Sequence, residues 1–172
     1  MIRLLFFLLI FLFGCNNLQP KKIVAAVVSA KKEASEIGIK ILEKGGNAFD
    51  AMIATDLALA VCYPSAGNIG GGGFMIYRTS DGQVGTLDYR EKAPEKSNED
   101  MFLDSNGNVI KGKSTIGGLS VGVPGTIAGL FEVHKRFGSL PFETLIEPAI
   151  QLARKGYVCL LYTSDAADER RR

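Results

Sequence analysis

Apolar and polar positions alternate in distinct blocks along the chain. Ile23 to Ser29 is apolar and rich in β-branched residues, which predicts a buried strand. From Lys31 to Lys44 the period changes to that of a helix. Ile37, Ile41 and Leu42 form its apolar stripe, and Gly45 stops it. Asn47 then caps a second helix from Ala48 to about Val61, with Asp50 in the first turn, where negative charge is favoured. This helix is apolar nearly all round, so it should be buried, and Pro64 ends it. Two short alternating runs, Phe74 to Arg78 and Val84 to Tyr89, flank Ser80-Asp-Gly82 and predict a hairpin.

Beyond the hairpin, Pro94 breaks the chain, and Asn98 to Phe102 reads as a helical turn. Asp104 to Asn108 is a further turn, and Lys111 to Val123 is a polar, glycine-rich surface excursion. Gly122-Val-Pro-Gly125 opens a helix that ends near Phe137-Gly138. The last helix runs from Glu143 to Lys155 and is closed by Gly156. No internal repeat is present.

The N-terminus carries its own signal. Arg3 precedes an unbroken apolar run from Leu4 to Phe13. That run is too short to span a bilayer, which takes roughly 20 apolar residues. It reads as a signal peptide over residues 1–14. Leu12-Phe-Gly-Cys15 resembles a bacterial lipobox, making Cys15 the acylated first residue of the mature chain, with residues 15–22 as a tether. The alternative is an ordinary secretory signal cut nearby. Either way the protein is expected outside the cytoplasm, in the periplasm or cell envelope, and on the first reading held to a membrane by lipid.

The other end also stands apart. Residues 159–172 depart from all that precedes them and close on three arginines. They read as a translated transposon-based sequencing adaptor, with the true sequence ending near Val158. The tail's charges cancel, so the argument from net charge survives its removal.

That charge is +2, too small to indicate nucleic acid or a basic membrane patch. With 47% hydrophobic residues a buried core is available, and global disorder is excluded. One histidine, His134, and three cysteines at unpatterned spacings give no basis for a zinc site or a disulfide framework.

Two segments carry candidate chemistry. Tyr63 to Phe74 contains four consecutive glycines, Gly70 to Gly73. No Lys-Ser/Thr follows them, so this is not a P-loop. The loop precedes a strand instead of opening a helix, so it is not a dinucleotide fingerprint. Two readings stand: a ligand cradle, or a close-packing turn. The second segment, Asp88-Tyr-Arg-Glu-Lys-Ala-Pro94, places Arg90 at a strand end. A guanidinium there can hold a carboxylate through two parallel bonds, or form a structural salt bridge to Asp88 or Glu91. No convincing nucleophile appears. His134 sits beside Lys135 and Arg136 and reads as part of a solvated face, while Cys62 reads as core. Asp50 is explained by the helix start, and Asp56 on the same helix invites burial against a partner.

Six motifs in order then resemble one family: Gly45-Gly-Asn-Ala-Phe-Asp-Ala51, Ala66-Gly-Asn-Ile-Gly-Gly-Gly-Gly-Phe74, Asp88 to Pro94, Asp100-Met-Phe102, Gly122 to Gly125 and Leu152-Ala-Arg-Lys-Gly156. Over residues 23–158 the chain resembles the N-terminal part of the large subunit of γ-glutamyltranspeptidase, an N-terminal-nucleophile hydrolase. The resemblance implies an α+β fold, a four-layer αββα sandwich, of which only an incomplete N-terminal portion is here. It implies a precursor that cleaves itself into two subunits. The small subunit's N-terminal threonine is then the nucleophile, and glutathione or another γ-glutamyl amide the donor. Arg90 matches the arginine that binds the donor's α-carboxylate. No metal or organic cofactor is implied. The catalytic threonine has no counterpart in this sequence, so the chain as written is expected to be inactive and to fold poorly without its small subunit. Two alternatives are a related amide acylase and a non-catalytic surface lipoprotein that binds small acids. Arg90 favours the glutamyl donor, since a neutral acyl chain has no use for its charge.

Overall fold

The computed structural model describes residues 25–157. The signal segment, Cys15, the tether, the first two residues of the expected 23–29 strand and the divergent tail lie outside the described residues.

Helix α1, Lys32–Glu43, buries Ala34, Gly38 and Ile41 along one face, with Ile37 and Leu42 half-buried beside them. Its end is a Schellman turn. Gly45 N–H donates to Leu42 O and Gly46 N–H to Ile41 O, both at 3.0 Å, with Gly45 at φ 91°. Helix α2, Ala48–Cys62, starts on a capping box. Asn47 Oδ1 accepts from the N–H groups of Phe49 and Asp50, and Asp50 accepts from Asn47 N–H at 2.9 Å. The helix is buried on most sides and packs against α1 and both later helices, as its all-round apolar sequence requires. Close approach of α1 to α2 depends on Gly38, where a Cβ would lie 3.3 Å from Ala51 O and 2.8 Å from Val27 Cγ1.

Strands β1, Phe74–Arg78, and β2, Val84–Asp88, pair antiparallel, with Phe74 opposite Asp88 and Arg78 opposite Val84. Their turn closes through Gly82 at φ 90°. Met75, Tyr77 and Leu87 face inward. Tyr77 joins Phe49 and Phe137 in an aromatic cluster with ring centroids 4.3–5.7 Å apart, which fastens the hairpin to the helices. The outward face leaves Phe74 65%, Ile76 80% and Val84 69% exposed.

Helices α3, Thr126–Phe137, and α4, Phe142–Lys155, complete the core through Leu130, Val133, Leu145 and Ala149. The α3–α4 turn is locked to the start of α2. Asn47 Nδ2 donates to Phe137 O at 2.6 Å, and Asp50 accepts from Ser139 N–H at 3.1 Å and from its hydroxyl. Asp50 is fully buried. Burial alone would raise its carboxyl. The hydrogen bonds from Ser139, Asn47 and Leu140 outweigh burial and hold it below the usual range.

Two expectations are corrected. Residues 25–29 form no strand. A strand needs a neighbour for its N–H and C=O groups, and the described sheet consists of β1 and β2 alone. Val28 is 91% exposed, while Val27 packs on the core. His134 is not on a solvated face. Its ring is half-buried, Nε2 lies 2.7 Å from Leu140 O, and Phe142 packs edge-on at 5.4 Å. A carbonyl only accepts, so Nε2 carries the proton. The turn folds back over the helix end, an event that local sequence does not display. Elsewhere, 99–102 form turns, with Met101 N–H donating to Asn98 O and Leu103 N–H to Asp100 O, and the 111–123 excursion is largely exposed with one short 3₁₀ turn at Gly118–Ser120.

Candidate functional site

Arg90 lies two residues beyond the end of β2, where the chain leaves the sheet. Its side chain is exposed. Asp88 does not pair with the guanidinium. Its Oδ1 accepts the backbone N–H of Arg90 at 2.9 Å, which fixes the strand exit. The ion pairs among the described residues are Lys32–Glu36 and Arg136–Glu132. The salt-bridge reading of Arg90 therefore fails, and its fork of donors meets no carboxylate among the described residues.

Three contacts build the walls around it. First, the chain keeps pairing after β2: Lys92 and Val123 exchange hydrogen bonds of 3.1 and 2.8 Å. This bridge brings the Gly122-to-Gly125 motif alongside Arg90. Second, the glycine loop lies against the same backbone. A Cβ on Gly72 would sit 2.7 Å from Arg90 Cα and 2.8 Å from Glu91 N. Third, Gly125 and Gly129 of the α3 start press on Tyr89. A Cβ on Gly125 would sit 2.8 Å from Tyr89 C and 2.9 Å from Arg90 O. Within the glycine run, Gly72 is thus the point where backbone approach to Arg90 leaves no room for a side chain, while Gly70 meets nothing within 4 Å. On one side of Arg90 lies a concavity of about 330 Å³, bordered by Arg90, Lys92, Val123, Pro124, Gly125 and Gly129.

A larger, mostly apolar cavity of about 500 Å³ lies on the other side of Tyr89, between residues 25–29, α2 and β1. It holds the half-buried Asp56, whose carboxyl is pushed up by burial and makes no hydrogen bond or ion pair among the described residues. Burial, with Asp56 behind it, also raises the Tyr89 hydroxyl. The partner expected for Asp56 is not among the described residues, and Arg90 does not line this cavity.

Cys62 is buried and free, with burial pushing its thiol up and away from the reactive thiolate. His134 is committed to the α3–α4 turn. Neither side chain is thus placed as a nucleophile, and Cys15 lies outside the described residues. Sequence reading missed Asn68, Thr126 and Gly129. Asn68 and Thr126 meet across 58 residues, and Gly129 meets Tyr89 from another element. Only the position of Asn68 just before the glycine run, within the Ala66-to-Phe74 motif, hinted at a role.

The sequence profile of the family described as gamma-glutamyltranspeptidase matches residues 34–172. A glutathione hydrolase proenzyme from Pseudomonas sp. (strain A14) is 53% identical over 132 residues, covering 77% of this chain and 23% of that protein. The chain thus spans about a quarter of that relative's length. Among solved structures, the Helicobacter pylori gamma-glutamyltranspeptidase superposes with a TM-score of 0.78 at 47% identity, covering 86% of this chain and 42% of that one. The Bacillus anthracis transpeptidase CapD does so at 0.66 and 33%, covering 85% and 45%. By sequence and by fold, this chain belongs to the γ-glutamyltranspeptidase family.

Proposed function

We propose that this chain is the N-terminal part of the large subunit of an enzyme that hydrolyses or transfers the γ-glutamyl group of glutathione and related γ-glutamyl amides. The observation that carries the reading is Arg90: an exposed guanidinium without a carboxylate partner among the described residues, on a backbone clamped by glycines, in a chain of this family. Its fork takes the donor's α-carboxylate and so orients the γ-carbonyl. A threonine hydroxyl at the small subunit's N-terminus attacks that carbonyl, and its own α-amine takes the proton. The C–N bond breaks, the leaving amine receives the proton, and a γ-glutamyl ester remains. Water or an acceptor amine resolves the ester. No step calls on a metal or organic cofactor.

The αββα sandwich belongs to this proposal. It is supported by the hairpin's outer face, where Phe74, Ile76 and Val84 are large, apolar and exposed, as a layer awaiting a second sheet would be. Export, with Cys15 as lipid anchor in the periplasm or cell envelope, is supported by the Leu4-to-Phe13 run and the Leu12-Phe-Gly-Cys15 motif. The full-length precursor containing this segment, incubated with glutathione, should mature into two subunits and release glutamate. Maturation without release of either glutamate or a γ-glutamyl adduct would count against the reading.

A further inference from the structure

Helix α3 begins without a side-chain cap, because its N-cap is Gly125. Its first N–H groups are taken instead by the glycine loop: Gly71 O accepts from Gly125 N–H at 2.7 Å and from Thr126 N–H at 3.1 Å. The loop is held in turn by Asn68. One oxygen, Asn68 Oδ1, accepts both Gly71 N–H at 2.9 Å and the Thr126 hydroxyl at 2.6 Å. Thr126 is 3% exposed, so its hydroxyl has no water to fall back on. The Tyr89–Arg90 backbone runs between the two parts this node joins. Gly72 abuts Arg90 Cα from the loop side, and Gly125 abuts the Tyr89 carbonyl from the helix side.

We propose that Asn68 is a positioning residue for Arg90, with Thr126 as its partner. The Asn68–Gly71–Thr126 node sets the distance between glycine loop and helix start. That distance fixes the backbone from which the guanidinium projects. A two-pronged bond to a carboxylate tolerates little angular error, so slack in this node is read as weaker donor binding. Asn68 acts through the Gly71 N–H and the Thr126 hydroxyl, without touching the guanidinium itself. The inference rests on Arg90 binding the donor's α-carboxylate.

The test uses the full-length precursor, with maturation confirmed, and γ-glutamyl p-nitroanilide as donor. Asn68→Ala should raise KM roughly three- to ten-fold, the size of one lost hydrogen bond, and change kcat by less than about two-fold. In an Arg90→Lys background the same change should add less than about two-fold, because the fork it positions is gone. Thr126→Val should reproduce the KM effect, and Thr126→Ser, which keeps the hydroxyl, should recover most of it. This pair decides the matter if Asn68→Ala fails to mature. If Arg90→Lys raises KM but Asn68→Ala does not, or if Thr126→Val and Thr126→Ser match, the positioning role is overturned and the reading of Arg90 stands. Multiplicative effects of Asn68→Ala and Arg90→Lys also overturn it. If Arg90→Lys leaves KM unchanged, the carboxylate reading itself fails.

Discussion

A graded series of glycine-to-alanine substitutions reads the clamp around Arg90. At Gly70 a new Cβ meets nothing within 4 Å. Gly70→Ala should then be neutral, or stabilising by up to about 1 kcal/mol through the unfolded chain. At Gly129, inside α3, alanine gains about 1 kcal/mol of helix propensity. Its Cβ would lie 2.6 Å from Tyr89 Cβ and closer still to the ring's first carbon, the stiff end of that side chain. Forcing a methyl into such contact costs about 1–3 kcal/mol, so Gly129→Ala should lose about 1 kcal/mol net. At Gly125 the obstacle is backbone, with Tyr89 C at 2.8 Å and Arg90 O at 2.9 Å. Neither atom can rotate away. Gly125 itself sits at φ −113°, which alanine adopts freely, so the cost is steric alone. Gly125→Ala should lose about 3 kcal/mol, the top of the overpacking range, and move Arg90. The assay is the thermal midpoint of the matured full-length protein, with KM for γ-glutamyl p-nitroanilide. Midpoints in the order Gly70→Ala, Gly129→Ala, Gly125→Ala are expected, with KM rising along the same series. A Gly125→Ala protein as stable and as tight-binding as Gly70→Ala refutes the clamp.

The other predictions concern groups away from the clamp. Asp50→Ala removes the acceptor for Asn47 N–H and for both Ser139 donors, and should cost about 3 kcal/mol by urea titration. Because the Asp50 carboxyl is held low in the folded state, its stabilisation is complete above the ordinary carboxylate value and drains away as pH falls below it. Thermal midpoints from about pH 6 down to about pH 3 should therefore fall less steeply for Asp50→Asn than for the parent. Asp56 has the opposite sign: its carboxyl is raised by burial, so its contribution is favourable at low pH and is lost as pH rises through the raised value. Asp56→Asn should raise stability at neutral pH by about 1 kcal/mol, and an unchanged midpoint there would mean that the carboxylate has found a cationic partner. Cys15→Ser should abolish incorporation of labelled fatty acid and release the protein from the membrane fraction, and unchanged labelling would assign the anchor elsewhere.

The helices were legible because their ends are written locally. The Asn47–Asp50 capping box and the Gly45 turn each lie within four residues of the boundary they set. The hairpin was legible for the same reason, through Asp81-Gly82 between two alternating runs. The 25–29 segment was misread because apolar β-branched residues state a preference for a sheet without supplying a neighbouring strand. His134 was misread because its partner, Leu140 O, lies across a turn, while its sequence neighbours are charged. Arg90 could be singled out from sequence, but its freedom from Asp88 could not: Asp88 turns to the backbone N–H, a choice made by strand-exit geometry. The glycine run could be weighed as a close-packing turn, but what it packs against could not be read. Asn68 meets Thr126 across 58 residues, and Lys92 pairs with Val123 across a polar excursion that sequence leaves as surface.

The central claim is that Arg90 binds the α-carboxylate of a γ-glutamyl donor. The measurement is KM for γ-glutamyl p-nitroanilide, and for the same donor with its α-carboxylate converted to an amide, in the full-length parent and in Arg90→Lys. An ammonium cannot reproduce the two-pronged contact, so Arg90→Lys should raise KM for the acid donor about ten-fold or more. Amidation should cost the parent a similar factor and cost Arg90→Lys much less. An unchanged KM in Arg90→Lys, or an equal amidation penalty in both proteins, would contradict the account.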